Sequence, residues 1–227
     1  MKEVTDTGDP GTTSPFLGLV PYLKCRDDSN SNMSHPATTP SRLPAPAKWS
    51  VEEYHQMTAV GLLQNRHVEL LNGDIVEMSP VGSLHEGRGD NVADYLRERL
   101  GRRARVRENK AITLSSSSEP EPDIAVVEYR DYTDHHPYPE NIFLLIEIAN
   151  SSLDYDLQVK RPIYAQAAIQ EYWVMDVSGQ KLHVFTGVDE ADYQSERIFD
   201  LTSDQSLSMQ AFPDIELSLA QMQQLRG

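Results

Sequence analysis

The hydrophobic pattern of the chain begins near residue 50, after a long polar stretch that lacks an apolar period. Ser50 and Glu53 have the spacing of a capping box, in which each side chain satisfies a free amide of the other residue. Val51, Tyr54 and Met57 then recur on one helical face. The pattern therefore predicts a helix that starts directly after Ser50.

A β-hairpin and a second helix are predicted next. The apolar-rich runs 67–71 and 74–79 flank Asn72-Gly73, a dipeptide typical of two-residue hairpin turns. Residues 84–100 have apolar side chains at helical spacing and basic residues in the last turn. These segments predict a strand, a tight turn, a strand and a helix.

The rest of the pattern predicts a sheet. Residues 124–127 and 142–148 are near-continuous apolar runs, which are typical of strands buried on both faces. A helix is predicted over 152–168, where Pro162 either kinks it or marks a late start. Further strands are predicted at 105–108, 111–114, 171–177, 181–186 and 193–199, and a short C-terminal helix at 217–225. This order favours a mixed α/β (α+β) fold over a strict βαβ alternation.

Composition divides the chain into two parts. Residues 1–47 are rich in Ser, Thr, Asp, Gly and Pro and predict a disordered N-terminal tail, which leaves one domain at 48–227. No run approaches the roughly 18 apolar residues of a membrane span, and the N-terminus lacks the apolar core of a secretory signal. With Cys25 as the single cysteine, no internal disulfide forms, and we expect a cytoplasmic protein.

The formal net charge is −15, from 20 Lys and Arg against 35 Asp and Glu. This balance argues against non-specific adhesion to polyanions, because phosphates are contacted chiefly by Lys and Arg. It does not exclude a nuclease, since a bound divalent cation reverses the local sign of an acidic site.

Three acidic residues lie in apolar surroundings. Asp123 begins one apolar strand, Glu147 lies inside the most hydrophobic run, and Glu69 alternates with apolar residues in the hairpin. Burying a carboxylate is costly unless a cation or hydrogen bonds compensate for the lost hydration. A strand-end acid is commonly a turn cap or an ion-pair partner, but a divalent cation such as Mg²⁺ is also held by one or two carboxylates.

Asp123 and Glu147 meet at one sheet edge if their strands are antiparallel neighbours, which a connection of about a dozen residues permits. Lys160 follows on the covering helix, where its cation would orient an attacking water or stabilise charge on a phosphate. The plain alternative for Lys160 is a solvated lysine on an amphipathic helix.

Five ordered motifs resemble the Uma-two family, which is grouped with restriction-endonuclease-like PD-(D/E)xK folds. They are VELLNGDIVEMSP at 68–80, His85, PEPDIAVV at 120–127, LIEIANSS at 145–152 and EYWVMD at 171–176. The resemblance covers roughly residues 49–225. It implies a restriction-endonuclease-like core, in which a mixed central sheet is flanked by helices.

The resemblance also implies a metal site. Asp123 and Glu147 would be ligands of Mg²⁺ or Mn²⁺, the main-chain carbonyl of Ile148 a third, and Glu69 a further acid from the first structural unit. The broader nuclease pattern has a lysine two residues after the second acid, where this chain has Ala149. The resemblance moves that role to Lys160.

His85 opens the helix that follows the hairpin, and a histidine is common there in the family. It is predicted either to act as a general base or phosphate ligand, or to bond the backbone at the helix terminus. The other histidines, His135-His136 among them, are interpreted as loop residues, and no Cys or His zinc site is predicted.

Two functions from different classes are predicted, and a metal-dependent hydrolase of another phosphoester is a third possibility that the sequence does not separate from the first. The first is a metal-dependent endonuclease that hydrolyses DNA phosphodiester bonds, with Asp123, Glu147, Lys160, Glu69 and His85 as its catalytic residues. The second is a catalytically silent binding or regulatory module that retains the nuclease fold, which Ala149 and the acidic surface favour. By analogy of fold alone, a homodimer would pair two sites to cut both DNA strands.

Overall fold

Helices and strands alternate irregularly in a computed structural model that describes residues 45–80 and 82–224. The helices are α1 (Val51–Ala59), α2 (Ser83–Leu100), α3 (Leu153–Tyr155), α4 (Arg161–Gln166) and α5 (Leu219–Met222). A 3₁₀ turn lies at Pro139–Asn141 and a π-helical turn at Asp156–Lys160. The strands are β1 (Val68–Leu71), β2 (Asp74–Glu77), β3 (Arg105–Glu108), β4 (Ile124–Val127), β5 (Ile142–Ala149), β6 (Glu171–Asp176), β7 (Lys181–Val188), β8 (Tyr193–Asp200), β9 (Ser206–Leu207) and β10 (Leu217–Ser218).

The central sheet has six strands in the order β3-β4-β5-β6-β7-β8. Only β5 and β6 are parallel, and the segment containing α3 and α4 makes the crossover that parallel neighbours require. The other neighbours in this sheet pair antiparallel. The predicted mixed central sheet flanked by helices is therefore confirmed.

Both faces of the sheet are covered by a hydrophobic core. On one face, Ile146, Ile148 and Trp173 pack with the apolar side of α2 and with the C-terminal segment. On the other face, alternate residues such as Leu145 and Val174 pack with α4 and the hairpin. Glu147 lies between Ile146 and Ile148 in β5, so its side chain points to the second face.

The local elements at the start of the domain match the predictions. The Ser50 hydroxyl accepts a hydrogen bond from the Glu53 amide, and the Glu53 carboxylate accepts one from the Ser50 amide. At the hairpin, Asn72 and Gly73 both have positive φ, at 49° and 80°. A turn of this kind fixes the register of β1 against β2 and therefore the side of the hairpin on which Glu69 lies.

One predicted strand is absent, and one predicted helix is shorter than expected. Residues 111–114 do not form a strand with β3, which pairs with β4 instead. Their amides bond to three separate loop carbonyls, so no ladder is possible: Ile112 to Pro120, Thr113 to Pro137 and Leu114 to Ser118. The predicted C-terminal helix is shorter, because Leu217 and Ser218 pair with β9 before α5 begins.

The structure bears only in part on the predicted N-terminal tail and on the expectation that no segment spans a membrane. The predicted tail lies outside the described residues, apart from residues 45–47. Within the described ranges, no helix has the length and apolarity to cross a membrane.

The buried position of Ile146 gives a test of the core. Its side chain is fully buried in β5, whereas Ile198 in β8 is 57% exposed. We expect Ile146→Ala to lower the free energy of unfolding by about 2–5 kcal/mol, because it leaves a cavity between sheet and helix. Ile198→Ala should change it by no more than about 0.5 kcal/mol. Urea denaturation of both variants measures the difference, and equal effects would contradict the assigned sheet faces.

Candidate active site

The antiparallel pairing of β4 and β5 brings Asp123 beside Glu147. Ile124 lies opposite Ile146, so the residues just outside that pair become neighbours at the sheet edge. The Asp123 amide donates to Glu147 Oε2 at 3.4 Å, and the Ile148 amide donates to Asp123 Oδ2 at 2.7 Å. The predicted meeting of the two acids is present.

Lys160 reaches the same point from the crossover segment. Its Nζ donates to Glu147 Oε1 at 3.0 Å and to Glu69 Oε1 at 3.3 Å, and all three residues are buried. The interpretation of Lys160 as a solvated surface lysine is therefore wrong. A cation in this position compensates for two carboxylates that have lost their hydration.

A π-helical turn positions this lysine. The Arg161 amide donates to the carbonyl of Asp156, five residues earlier, rather than four as in an α-helix. Pro162 has no amide to continue the α-helical pattern and its ring crowds the carbonyl one turn back, which a wider turn relieves. The predicted disturbance at Pro162 thus takes the form of a π turn that ends on Lys160.

Glu69 arrives from the hairpin. Its Oε1 accepts from the Glu121 amide at 3.1 Å as well as from Lys160. Its other oxygen, Oε2, is buried and has no hydrogen-bond partner within the described part of the chain. A buried carboxylate oxygen without a partner is unusual and calls for a specific explanation.

The network carries more negative than positive charge. Burial, together with the nearby Asp123 and Asp156, raises the pKa of Glu147 well above its usual value, although Lys160 opposes this. Burial lowers the pKa of Lys160, but Glu147 and Glu69 outweigh that effect and raise it. The lysine therefore keeps its proton and leaves the acids incompletely neutralised. The Tyr164 hydroxyl adds a hydrogen bond to Glu147 Oε1 at 2.7 Å.

His85 and Asp156 complete the inner wall. His85 Nε2 lies 2.9 Å from Asp123 Oδ1, and this hydrogen bond raises the pKa of His85. Asp156 is buried and accepts from the Ser152 hydroxyl at 2.7 Å. Burial raises the pKa of Asp156 to about 6.

These residues line a cavity of about 800 Å³. Its described wall contains nine carboxylates: Glu69, Glu77, Glu86, Asp90, Glu108, Glu121, Asp123, Glu147 and Asp156. Lys160 is the one lysine or arginine among the described lining residues. An anionic substrate therefore meets a strongly negative wall unless cations enter with it.

The pattern of the Uma2 family, described as "Putative restriction endonuclease", matches residues 51–220. The chain belongs to the Uma2 family. The match includes all five residues that the sequence singled out and most of the domain.

A solved structure has the same fold as this Uma2 chain. It is a "putative nuclease belonging to DUF820" from Anabaena variabilis ATCC 29413, with a TM-score of 0.56 and 17% identity. The alignment covers 70% of the Uma2 chain and 90% of the other. At this identity the likeness concerns the fold alone. No curated protein matches the chain.

The structure joins the five predicted residues of the Uma2 chain into one hydrogen-bonded network. Asp123 contacts Glu147 and His85 directly, and Lys160 connects Glu147 to Glu69. Sequence reasoning missed the contributions of Asp156 and Tyr164. A signal was present, because Asp156, Lys160 and Tyr164 are spaced four residues apart and thus lie near one helical face.

The buried lysine of the Uma2 chain gives a test of the network. In chelator-containing buffer we expect Lys160→Met to lower the free energy of unfolding by about 3–5 kcal/mol, because it leaves Glu147 and Glu69 without their cation. The matched control is Lys181→Met, whose ion pair with Asp200 is 44% and 47% exposed. That variant should lose no more than about 1 kcal/mol. Similar losses in both would show that Lys160 is not a buried ion-pair partner.

Proposed function

We propose that this Uma2 protein is a Mg²⁺- or Mn²⁺-dependent endonuclease that hydrolyses DNA phosphodiester bonds. The observation that carries the proposal is the network of Asp123, Glu147, Glu69 and Lys160 in the wall of an acidic cavity. Membership of the Uma2 family, described as "Putative restriction endonuclease", supports the reaction class.

The donor set fits a hard divalent cation. Such cations take oxygen ligands, and Mg²⁺ is usually bound by one or two carboxylates plus water and substrate phosphate. The partnerless Oε2 of Glu69 is a buried oxygen that still lacks a positive partner. Asp123 and Glu147 would hold the ion with the main-chain carbonyl of Ile148, and Glu69 would support it.

When bound, the cation lowers the pKa of a coordinated water and neutralises charge on the phosphate. In the reaction a water oxygen bonds to phosphorus and the P–O ester bond breaks, which gives an alcohol and a phosphate monoester. Lys160 keeps its proton and places a fixed positive charge beside Glu147, where it would orient water or stabilise the developing phosphate charge.

His85 and Tyr164 hold the two central acids in position. Tyr164 donates to Glu147 from α4, and His85 contacts Asp123 from the first turn of α2. His85 also lies in the cavity wall, where its imidazole would contact a substrate phosphate.

Plasmid cleavage tests the proposed reaction. With Mg²⁺ or Mn²⁺, we expect the wild type to nick or linearise supercoiled DNA, and Asp123→Asn and Lys160→Ala to lose at least about 100-fold in rate. Asp204→Asn, which changes an exposed aspartate outside the cavity, should keep full activity. Equal residual cleavage in all four proteins would assign it to contamination. Linear product without a nicked intermediate would indicate paired sites in a dimer.

Calorimetry separates the endonuclease from the silent binding module. We expect Mn²⁺ to bind the wild type with a measurable heat. Most of that heat should be lost in Asp123→Asn, since this change removes a charged ligand. Asp204→Asn again serves as the control. Absence of any Mn²⁺ binding heat that depends on Asp123 would favour the module. Absence of binding heat in the wild type would contradict the proposal that the protein uses this cation as a cofactor.

A further inference from the structure

A second, smaller cavity lies beside α1. It has a volume of about 440 Å³, and its wall includes His55, Glu119 and His136. Asn109 and Glu121 line both this cavity and the acidic one. None of the residues assigned to the candidate active site, Glu69, His85, Asp123, Glu147 and Lys160, lines it.

Glu119 is the buried acid of this cavity. Its side chain is 4% exposed, and its Oε2 accepts from the Thr113 hydroxyl at 2.8 Å. Its Oε1 lies 2.6 Å from Nε2 of His55, an exposed residue of α1. The backbone of Glu119 is anchored as well, because its amide donates to the carbonyl of Leu70 in β1.

His136 supplies a second imidazole. One ligand atom each from His55, Glu119 and His136 lies within 4.8 Å of the other two. In a tetrahedral zinc site, neighbouring ligand atoms lie about 3.3 Å apart, which follows from Zn–N and Zn–O bonds of about 2 Å. Each of the three distances therefore differs from that separation by at most about 1.5 Å.

A backbone hydrogen bond and a ring stacking contact stabilise the loop that carries His136. The Thr113 amide donates to the carbonyl of Pro137, and His135 stacks on Tyr138 with ring centroids 5.0 Å apart. Thr113 thus contacts Glu119 through its side chain and the His136 loop through its backbone.

We propose that His55, Glu119 and His136 form a zinc site, with a fourth position that opens to the cavity. Two imidazoles and one carboxylate are a donor set typical of zinc sites that keep an open position. Mg²⁺ is disfavoured, because it prefers oxygen ligands and retains its waters. The site is independent of the proposed nuclease reaction and of its residues.

A simple ion pair between His55 and Glu119 is the competing explanation. The chain contains such a pair elsewhere: His183 Nδ1 lies 2.7 Å from Glu196 Oε1. There, no third His, Cys, Asp or Glu within the described ranges completes a metal-binding group. The His55–Glu119 pair differs from the His183–Glu196 pair because His136 lies close to it. An ion pair alone does not explain why a second histidine lies there.

The other charges around the cavity limit the source of affinity. Arg107 and Lys110 line it together with Glu119 and Glu121, so the fixed positive and negative charges are equal in number. Zinc therefore gains little from a general excess of negative charge, and its affinity must come from the ligand bonds. This predicts that excess Mg²⁺ does not displace zinc from the site.

The test is zinc binding to the full chain in the presence of excess Mg²⁺, followed by Co²⁺ substitution. We expect the wild type to bind one Zn²⁺ at the site formed by His55, Glu119 and His136. The binding should be at least about 100-fold weaker in His55→Ala and, separately, in His136→Ala. Co²⁺ should give the intense visible absorption of a tetrahedral complex, and this absorption should be lost in both variants. His183→Ala, which removes the histidine of an ion pair outside the cluster, should retain wild-type zinc binding and spectrum.

Circular dichroism of the metal-free variants checks their folding, which is expected to be intact because His55 is exposed and His136 lies in a loop. Zinc binding unchanged in either histidine variant would overturn the proposal, as would no binding of zinc by the wild type at micromolar concentration. Loss of zinc binding in Asp123→Asn but not in His55→Ala would assign the metal to the acidic cavity instead.

Discussion

The ion pair of Lys160 with Glu147 and Glu69 is the interaction on which the site depends. Three ionisable side chains are buried where hydration is lost, and Lys160 contacts both carboxyl groups at once. The three residues come from the hairpin, the sheet and the crossover segment. Their contact therefore ties together the elements that surround the candidate active site.

The rest of the local structure holds this ion pair in place. The hairpin turn fixes the register of β1, the antiparallel pairing of β4 and β5 aligns Asp123 with Glu147, and the π turn directs Lys160 inward. Tyr164 follows Lys160 by four residues and donates to the same carboxylate oxygen. One lysine cannot balance all the acids, so the cavity wall carries an excess of acidic side chains.

Much of this arrangement was predictable because its signals are local. The capping box at Ser50, the Asn72-Gly73 turn and the apolar runs of β4 and β5 each act over a few residues. The meeting of Asp123 and Glu147 followed from one assumption about strand pairing. The family resemblance then supplied the shared role that periodicity alone could not assign.

What could not be predicted depends on contacts between distant segments. The hydrogen bonds from residues 111–114 to three loops could not be predicted, because no short-range sequence pattern encodes those partners. His55 and Glu119 are 64 residues apart, so no local pattern indicates that they lie close to each other and to His136.

The most direct measurement of the central claim is anomalous diffraction from crystals grown with Mn²⁺. The account predicts a peak within about 2.5 Å of carboxylate oxygens of both Asp123 and Glu147, with Lys160 still in contact with Glu147. A fully occupied Mn²⁺ elsewhere in the protein, with no peak between those two acids, would contradict it.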